Sequence, residues 1–456
     1  MKPTLHQRIE LDVLRLGVNG EGVAEHDGYV LFVPGALPGE RVAARVTETK
    51  KSYGRADLVN VIAPAEGRVE PACTLFGRCG GCQLMHLSYE RQLTFKRERV
   101  ADVLLRIGGL SGVPVEPCLP SERVHGYRNK VEVPFRLHKG KPAFGFYEVD
   151  SHDLVPLASC PVHCGMGNEI FSAINQAVLR TTVAPYNEQR PASGLRHLLI
   201  KSAPPRADGR AGEALVVFVT YGWEVTGLRR LARVAMKSHP GIKGVVQNNN
   251  PRPGNVILGP DCRTLLGEAV ITEKVNGLEF EIGPLSFFQV NACQLSVLSD
   301  LVLQAAQLTG NETVLDAYCG SGFFSLFLAR KARHVIGVES VPEAVNNART
   351  NAGRNGIANV EFICGDAETL IRDLPCFDVA VFDPPRKGCE EGFLRAVAER
   401  TPQRIVYVSC NPASLARDLR FLVAQGYAVD RVQPVDLFPQ TAHVECVVTL
   451  QRIKAG

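Results

Sequence analysis

The sequence lacks a long hydrophobic run: its longest apolar stretch, around Ala214 to Val219, falls far short of the roughly 20 residues a membrane-spanning helix requires. It also lacks an excess of either charge. With 51 basic against 47 acidic side chains, the formal charge of +4 excludes a polycation that holds nucleic acid by charge alone, and equally an acidic disordered chain. Any basic surface must be local. Internal repeats and low-complexity tracts are absent too. Arg8, Glu10, Asp12 and Arg15 interrupt the region where an export signal would need an unbroken apolar core, so a cytoplasmic protein without a membrane partner is expected. Cysteine, by contrast, is plentiful at 14 residues. In a reducing compartment thiols persist as small buried hydrophobes, metal ligands or nucleophiles, and their spacing has to sort them. At about 100 to 200 residues per domain, 456 residues predict two to four domains.

Between residues 7 and 63, short alternating segments (Ile9, Leu11 and Val13; Val30 to Val33; Val42 to Val46; Leu58 to Ile62) are punctuated by Gly17, Gly20, Gly22, Gly35 and Gly39. This pattern predicts a small antiparallel β-barrel, serving either as a ligand-binding module or as a structural cap. From Pro64 to about Gly283 the pattern is mixed, with a helical run from Leu87 to Ile107 and strand-like pieces at Lys130 to Phe135 and Ala214 to Tyr221. The remainder is different. Apolar runs at Thr313–Leu315, His334–Val338, Val360–Ile363, Phe377–Phe382 and Arg404–Val408 alternate with helical stretches, which predicts a parallel, doubly wound sheet. Ligands in such sheets bind beyond the carboxyl ends of the strands.

The residues at those ends carry chemistry. Asp316 is followed by a Gly320-x-Gly322 turn, where glycine lets a ligand approach the backbone and the next helix offers free amides. Glu339 ends the second strand, where a carboxylate can accept hydrogen bonds from both ribose hydroxyls; Asp366 follows the third and suits an adenine amino group; Asp383 follows the fourth. A dinucleotide site would need a third glycine, but Phe324 and Ser325 stand there. S-adenosylmethionine, with ribose and adenine but no phosphate, fits better.

Cys410 follows the fifth run in Ser-Cys-Asn-Pro, where its thiol is expected to face the cleft with a lowered pKa, Ser414 capping the next helix. Cys319, Cys364 and Cys376 read as inert core residues. The tail predicts a hairpin, Ala428–Leu437 and Val444–Leu450, in which Glu445 interrupts an apolar strand and needs either a partner or a task. A thiol, a carboxylate and a methyl donor together suit methylation of an unreactive carbon. A pyrimidine C5 becomes nucleophilic only after a thiolate adds to C6, and a base must then take the C5 proton. An N- or O-methyltransferase needs neither residue.

Cys73-x5-Cys79-Gly-Gly-Cys82 gathers three thiols within ten residues. By spacing it is a zinc site completed by His86, or an iron–sulfur site completed by a distant cysteine such as Cys160 or Cys164. Between Arg123 and Lys141, six basic residues, among them Arg123, Arg128, Lys130 and Arg136, face the single acid Glu132. With His125, Tyr127 and Phe135 interleaved, this segment is expected to contact phosphates and to stack unpaired RNA bases.

The motifs Phe287-Phe-Gln-Val-Asn, Asp316-Ala-Tyr-Cys-Gly, Phe382-Asp-Pro-Pro-Arg-Lys-Gly, Ser409-Cys-Asn-Pro and His443-Val-Glu-Cys-Val resemble those of the RNA uracil-5-methyltransferase family. The resemblance extends upstream through Tyr127-Arg-Asn-Lys, Gly145-Phe-Tyr and Ser159-Cys-Pro to an N-terminal region similar to the RNA-binding TRAM barrel. It implies an α/β chain of three parts: an OB-like TRAM barrel (1–63), a central α+β domain with an iron–sulfur cluster (64–283) and a Rossmann-like methyltransferase domain (284–456). The helix near 87–107 is expected to pack on the catalytic domain. The same resemblance implies Cys410 as nucleophile, Glu445 as base, and Gln289, Tyr318, Glu339 and Asp383 as contacts to the methyl donor, beside Gly320 and Asp366. Through relatives that carry a [4Fe-4S] cluster, it favours Cys73, Cys79, Cys82 and Cys160 as ligands. One departure is Phe323, where relatives often carry asparagine. The expected partner is RNA, not DNA: 23S ribosomal RNA, because relatives with both barrel and cluster resemble the ribosomal enzymes. Transfer RNA is the alternative substrate, and a non-catalytic RNA-binding protein is the alternative class, against which the intact Cys410 and Glu445 argue.

Overall fold

In the computed structural model, which describes residues 2–189, 192–205 and 209–453, the N-terminal segments close into a five-stranded barrel, Arg8–Leu16, Gly22–His26, Tyr29–Val33, Arg41–Thr49 and Tyr53–Ala63. Alternation places Ile9, Leu11 and Val13 inside and charged residues outside. The second strand, Gly22–His26, escaped the sequence pattern because it begins on a glycine and is short. A side chain at Gly22 would meet the Ala36 carbonyl at 2.8 Å. Buried Glu40 holds the barrel's exit: it accepts from Leu37 N and from Arg68, whose guanidinium also donates to Gly35 O at 2.7 Å.

The central region is a seven-stranded sheet, in spatial order Asp261–Gly267, Ile242–Asn249, Glu213–Tyr221, Gly194–Ala203, Lys130–His138, Lys141–Tyr147 and Leu154–Pro156. Helices Gly165–Val178 and Leu228–Ser238 cover one face. The opposite face, with Leu199, Leu215 and Val217, packs on the hairpin Ile271–Val275 and Leu278–Ile282.

The C-terminal sheet has the order Val360–Cys364, His334–Glu339, Thr313–Ala317, Val379–Phe382, Arg404–Ser409, Glu445–Arg452 and Tyr427–Val435. Its first five strands are parallel; the last two run antiparallel to each other, with Glu445–Arg452 inserted beside Arg404–Ser409. The helix Tyr89–Arg106, although it precedes the central sheet, adds Val100, Val103 and Leu104 to the core of this sheet.

The loop between the last two strands is gripped from outside its own sheet. Gln92 on that helix donates to Gln440 Oε1 at 3.0 Å and accepts from Gln440 N at 3.0 Å. Asn291 and Gln294 donate to Leu437 O and Asp436 O. Lys96 and Asp436, both with fully buried side chains, form an ion pair at 2.5 Å, and Lys96 Nζ also donates to Phe438 O. Removing one partner of such a pair leaves a buried charge uncompensated, at a cost of about 3–5 kcal/mol. Urea unfolding of Lys96→Met is expected to show a loss of that size, largely recovered in Lys96→Met/Asp436→Leu. A loss under about 1 kcal/mol for the single variant would mean that the pair does not hold the loop.

Candidate active site

The carboxyl ends of the parallel strands open onto a cleft of about 910 Å³, lined by Gln289, Tyr318, Gly320, Glu339, Asp366, Asp383, Cys410 and Glu445 together. The turn after the strand Thr313–Ala317 uses left-handed backbone at Tyr318 (φ 63°), Gly320 (54°) and Gly322 (83°). Gly322 is also required sterically, because a Cβ there would lie 3.0 Å from the Phe362 ring. This turn brings Gly320 N within 3.1 Å of Glu339 Oε2, while Val341 N donates to Oε1 at 2.8 Å. Glu339 is thereby fixed at the cleft, where its remaining lone pairs can accept from a ribose diol.

Tyr318 donates its hydroxyl to Glu368 Oε1 at 2.9 Å. Asp366 caps the short helix Ala367–Leu370 through Glu368 N, and its hydrogen bonding with Glu368 holds its carboxyl below the usual range. Phe323 sits 5.3 and 5.7 Å from the rings of Phe280 and Phe288. Phe323, marked in the sequence as a departure from the family resemblance, therefore supplies an apolar wall here.

Strand register places the thiol and the acid. Ser409 lies opposite Cys446 at the end of the antiparallel pair, and the residues that flank this last rung, Cys410 and Glu445, both line the cleft. The Cys410 strand stops because Asn411 caps the helix Pro412–Ala424, its side chain accepting from Ala413 N at 3.1 Å. Ser414, expected as the cap, instead donates its hydroxyl to Arg386 O at 3.1 Å, beside Asn411 Nδ2 at 2.8 Å. The helix N-terminus thus fastens the Asp383–Lys387 loop. Gly388 allows the close approach: its φ is +79°, and a Cβ there would lie 2.5 Å from Asp418 Oδ2.

Two acids, Asp383 and Glu445, line the cleft beside Cys410, and the fully buried Asp316 neighbours Asp383. Burial pushes Asp316 up to about 7, with a Ser325 hydroxyl bond in partial relief; Asp383 reaches about 7 through burial and the neighbouring Asp316. Burial and then Asp383 raise Glu445 well above the carboxylate range, Arg386 opposing. Burial and then Glu445 push Cys410 up to about 11, again against Arg386. The expectation of a lowered thiol pKa is corrected on this point: one guanidinium does not outweigh desolvation and two acids. The cleft is short of positive charge, which suits a cationic ligand such as a sulfonium. His443, 3.5 Å from Arg386 Nη2, is held down to about 4 by burial and surrounding cations.

The basic segment also differs from its expectation. Tyr127 and Phe135 are 3% and 0% exposed and offer no stacking surface; Tyr127 instead donates to Pro439 O at 3.0 Å. Lys130 pairs with Glu132 at 2.9 Å, while Arg128 and Arg136 donate to carbonyl groups, Lys130 O and Phe135 O. Arg123 and His125 are exposed. The exposed cations that line the cleft are Arg386 and Lys387, near Phe287, 68% exposed, and Phe438. Arg386 lay inside a recognised motif, whereas Phe438 had no sequence signal.

Cys73, Cys82 and Cys160 pack against Met85, Tyr127 and Val162, and burial raises Cys79, Cys82 and Cys160, with the thiols adding to one another's shifts. Cys164 is used otherwise, capping the helix Gly165–Val178 and meeting the Ser202 hydroxyl at 3.3 Å. His86 stacks near Phe76 at 5.0 Å, with Arg68 and Glu40 as its charged neighbours. Among the described residues no three His, Cys, Asp or Glu side chains stand assembled to hold a metal ion. The donor set, four half-buried thiols free of disulfides, is chemically that of a thiolate-bound metal group. Of the cysteines expected in cores, Cys319 is buried but Cys364 and Cys376 are exposed, at a strand edge and in a loop.

Alkylation of Cys410 in the ligand-free protein, followed by mass spectrometry, is expected to rise with pH around a midpoint near 11. Glu445→Gln should move that midpoint down, and Arg386→Met should move it up. A wild-type midpoint below about 8.5, the value of a free thiol, would contradict the charge balance described.

Comparison with known proteins agrees with this geometry. Residues 271–453 match the family described as tRNA (Uracil-5-)-methyltransferase, and residues 4–59 match the TRAM domain. An uncharacterized RNA methyltransferase of Halalkalibacterium halodurans is 43% identical over 450 residues, covering 97% of this chain and 96% of its own. Another, of Gloeobacter violaceus, is 42% identical over 448 residues, covering 98% and 97%. The crystal structure of the Pyrococcus abyssi tRNA (uracil-54, C5)-methyltransferase in complex with S-adenosyl-L-homocysteine superposes with a TM-score of 0.76 at 27% identity, covering 96% of this chain and 99% of that one. The chain, with its TRAM barrel, belongs to the RNA uracil-5-methyltransferase family.

Proposed function

We propose that this protein methylates C5 of a uracil in 23S ribosomal RNA with S-adenosylmethionine. The carrying observation is that Cys410 and Glu445 line one cleft together with Glu339, Asp366 and Asp383, close enough for Glu445 to act on the thiol's charge. Gln289, Tyr318, Gly320, Glu339, Asp366 and Asp383 bind the methyl donor, whose sulfonium charge offsets the acids and favours the Cys410 thiolate. The thiolate adds to C6, and the electron pair displaced to C5 attacks the sulfonium methyl, releasing the neutral thioether. Glu445 then takes the C5 proton, its raised pKa making it the stronger base, and the C6–S bond breaks to restore the ring. The target uracil must leave its stack to reach Cys410. RNA is held outside the cleft by the barrel and by Arg123, Arg386 and Lys387, with Arg128, Lys130 and Arg136 as half-buried contributors. The working division of the chain remains 1–63, 64–283 and 284–456, and the setting is cytoplasmic.

A [4Fe-4S] cluster on Cys73, Cys79, Cys82 and Cys160 fits the soft, half-buried donor set, with zinc as the alternative metal; in either case it would tie together separate loops of the central region. Transfer RNA is the second reading of the substrate, favoured by the fold shared with the Pyrococcus abyssi enzyme.

Incubation with labelled methyl donor and separate RNA pools is expected to place label in ribosomal RNA; label in transfer RNA alone would overturn the first reading. Glu445→Gln should accumulate a methylated RNA covalently joined to Cys410, and free turnover by that variant would remove Glu445 as the base. Anaerobically purified protein is expected to absorb at about 400 nm through thiolate-bound iron. A colourless, zinc-loaded preparation would replace the cluster with zinc.

A further inference from the structure

The segment from Gly283 to Gln289 joins the hairpin strand Leu278–Ile282 to the helix Ala292–Ala306, and it carries Phe287, Phe288 and Gln289 to the wall of the cleft. It has no regular secondary structure, so its position depends on what grips it. The turn is closed by Gly283 N donating to Ser286 Oγ at 3.0 Å, and Asn347 on the helix Pro342–Arg354 donates to the same hydroxyl at 2.8 Å. Asn129 donates through Nδ2 to Gln289 O at 3.1 Å and through its backbone to Val290 O at 2.8 Å.

Phe288 packs against Phe280 and Phe323, and a further grip is a buried ammonium. Lys201, on the central strand Gly194–Ala203 and 8% exposed, donates from Nζ to Gly283 O and Ser286 O, both at 2.7 Å. Two carbonyl groups stabilise a buried ammonium far less than a paired carboxylate would. An apolar side chain of similar length would fill the site without the desolvation cost, so the charge is explained by the two carbonyls it holds. A small cavity of about 120 Å³, lined by Asn129, Lys201, Ser286, Phe287 and Phe288, lies against the clamp and gives the segment room to shift when it is released.

We propose that Lys201 is a positioning residue for methyl-donor binding, its ammonium clamping the Gly283–Ser286 turn so that Phe287, Phe288 and Gln289 close on the donor. This rests on the reading of the cleft as the donor site. The charges facing Lys201 are Lys130 and Glu132 from the strand Lys130–His138, Glu343 from the helix Pro342–Arg354, and the Cys262 thiol from the strand Asp261–Gly267. Burial, reinforced by Lys130 and opposed by Glu132, Glu343 and Cys262, brings Lys201 down to about 7. The ammonium is therefore lost as pH rises through about 7, the range in which Asp383 of the cleft also ionises, so the clamp's share of the pH dependence is the part that Lys201→Met removes.

Calorimetric titration of the full chain with S-adenosylhomocysteine at pH 6 and pH 8.5 tests this. Wild-type protein is expected to bind about tenfold more weakly at pH 8.5. Lys201→Met should bind about tenfold more weakly than wild type at pH 6, with little change at pH 8.5. Lys201→Arg, which keeps its charge, should bind like wild type at pH 6 and more tightly than wild type at pH 8.5. In turnover assays, Lys201→Met should raise KM for the methyl donor by a larger factor than it lowers kcat. A Lys201→Met protein that binds like wild type at pH 6, or that keeps the wild-type pH dependence, overturns the clamp. Failure of wild-type protein to bind S-adenosylhomocysteine at pH 6 would instead overturn the donor-site reading on which the clamp rests.

Discussion

The burial of Glu445 beside Asp383 and Cys410 is the constraint on which the rest of the structure turns. A carboxylate this deep, 2% exposed, next to another acid and a thiol, is unfavourable by desolvation and by like charge, with only Arg386 opposing it. Asp316 and Asp383 share the condition. Each of these acids binds its proton more tightly in the folded chain than in the unfolded one. Ionising them therefore costs folding free energy as pH rises from about 4 towards 7 and beyond. In the reaction proposed for the cleft, the same crowding of acids becomes favourable, because they would face a sulfonium and one of them would take a proton from carbon.

The surrounding architecture keeps that arrangement from relaxing. Cys410 is fixed by strand register and by the Asn411 cap, Asp383 and Arg386 by the staple from Asn411 and Ser414, and Glu445 by the loop that precedes it. That loop is held by residues from elsewhere in the chain: Gln92 and Lys96 on a helix that precedes the central sheet, Tyr127 beside the cysteine group, and Asn291 and Gln294. The grip on the loop before Glu445 thus reaches into the region of the cysteines, through Tyr127 and through Gln83, whose backbone donates to Gln440 O immediately after Cys82.

Much of this was legible in the sequence, for identifiable reasons. The parallel strands are short apolar runs ended by polar or small residues, and the residue after each run falls on the ligand edge by topology, which is how Glu339, Asp366, Asp383 and Cys410 could be named together. What was not legible depends on contacts between distant segments. The charge state of Cys410 is a sum over Glu445, Asp383 and Arg386, which come from different strands and loops. Tyr127 and Phe135 alternate with basic residues in the chain, but Phe135 is turned into the core by the central sheet and Tyr127 packs against Met85 and Val162 in the loop before it. Cys364 and Cys376 sit in apolar surroundings in sequence yet end a strand and occupy a loop, where their side chains meet solvent. The second barrel strand hides in a glycine-rich stretch that reads as turn.

The central claim is that Cys410 bonds to C6 of a uracil in RNA while methyl is delivered to C5, and one measurement addresses it directly. RNA carrying 5-fluorouridine blocks the last step, because fluorine cannot leave C5 as a proton does. Incubated with S-adenosylmethionine and this protein, it should yield a stable protein–RNA adduct, methylated at C5, that peptide mass spectrometry maps to Cys410. Absence of an adduct despite methylation of ordinary RNA, or an adduct at any other residue, would contradict the account.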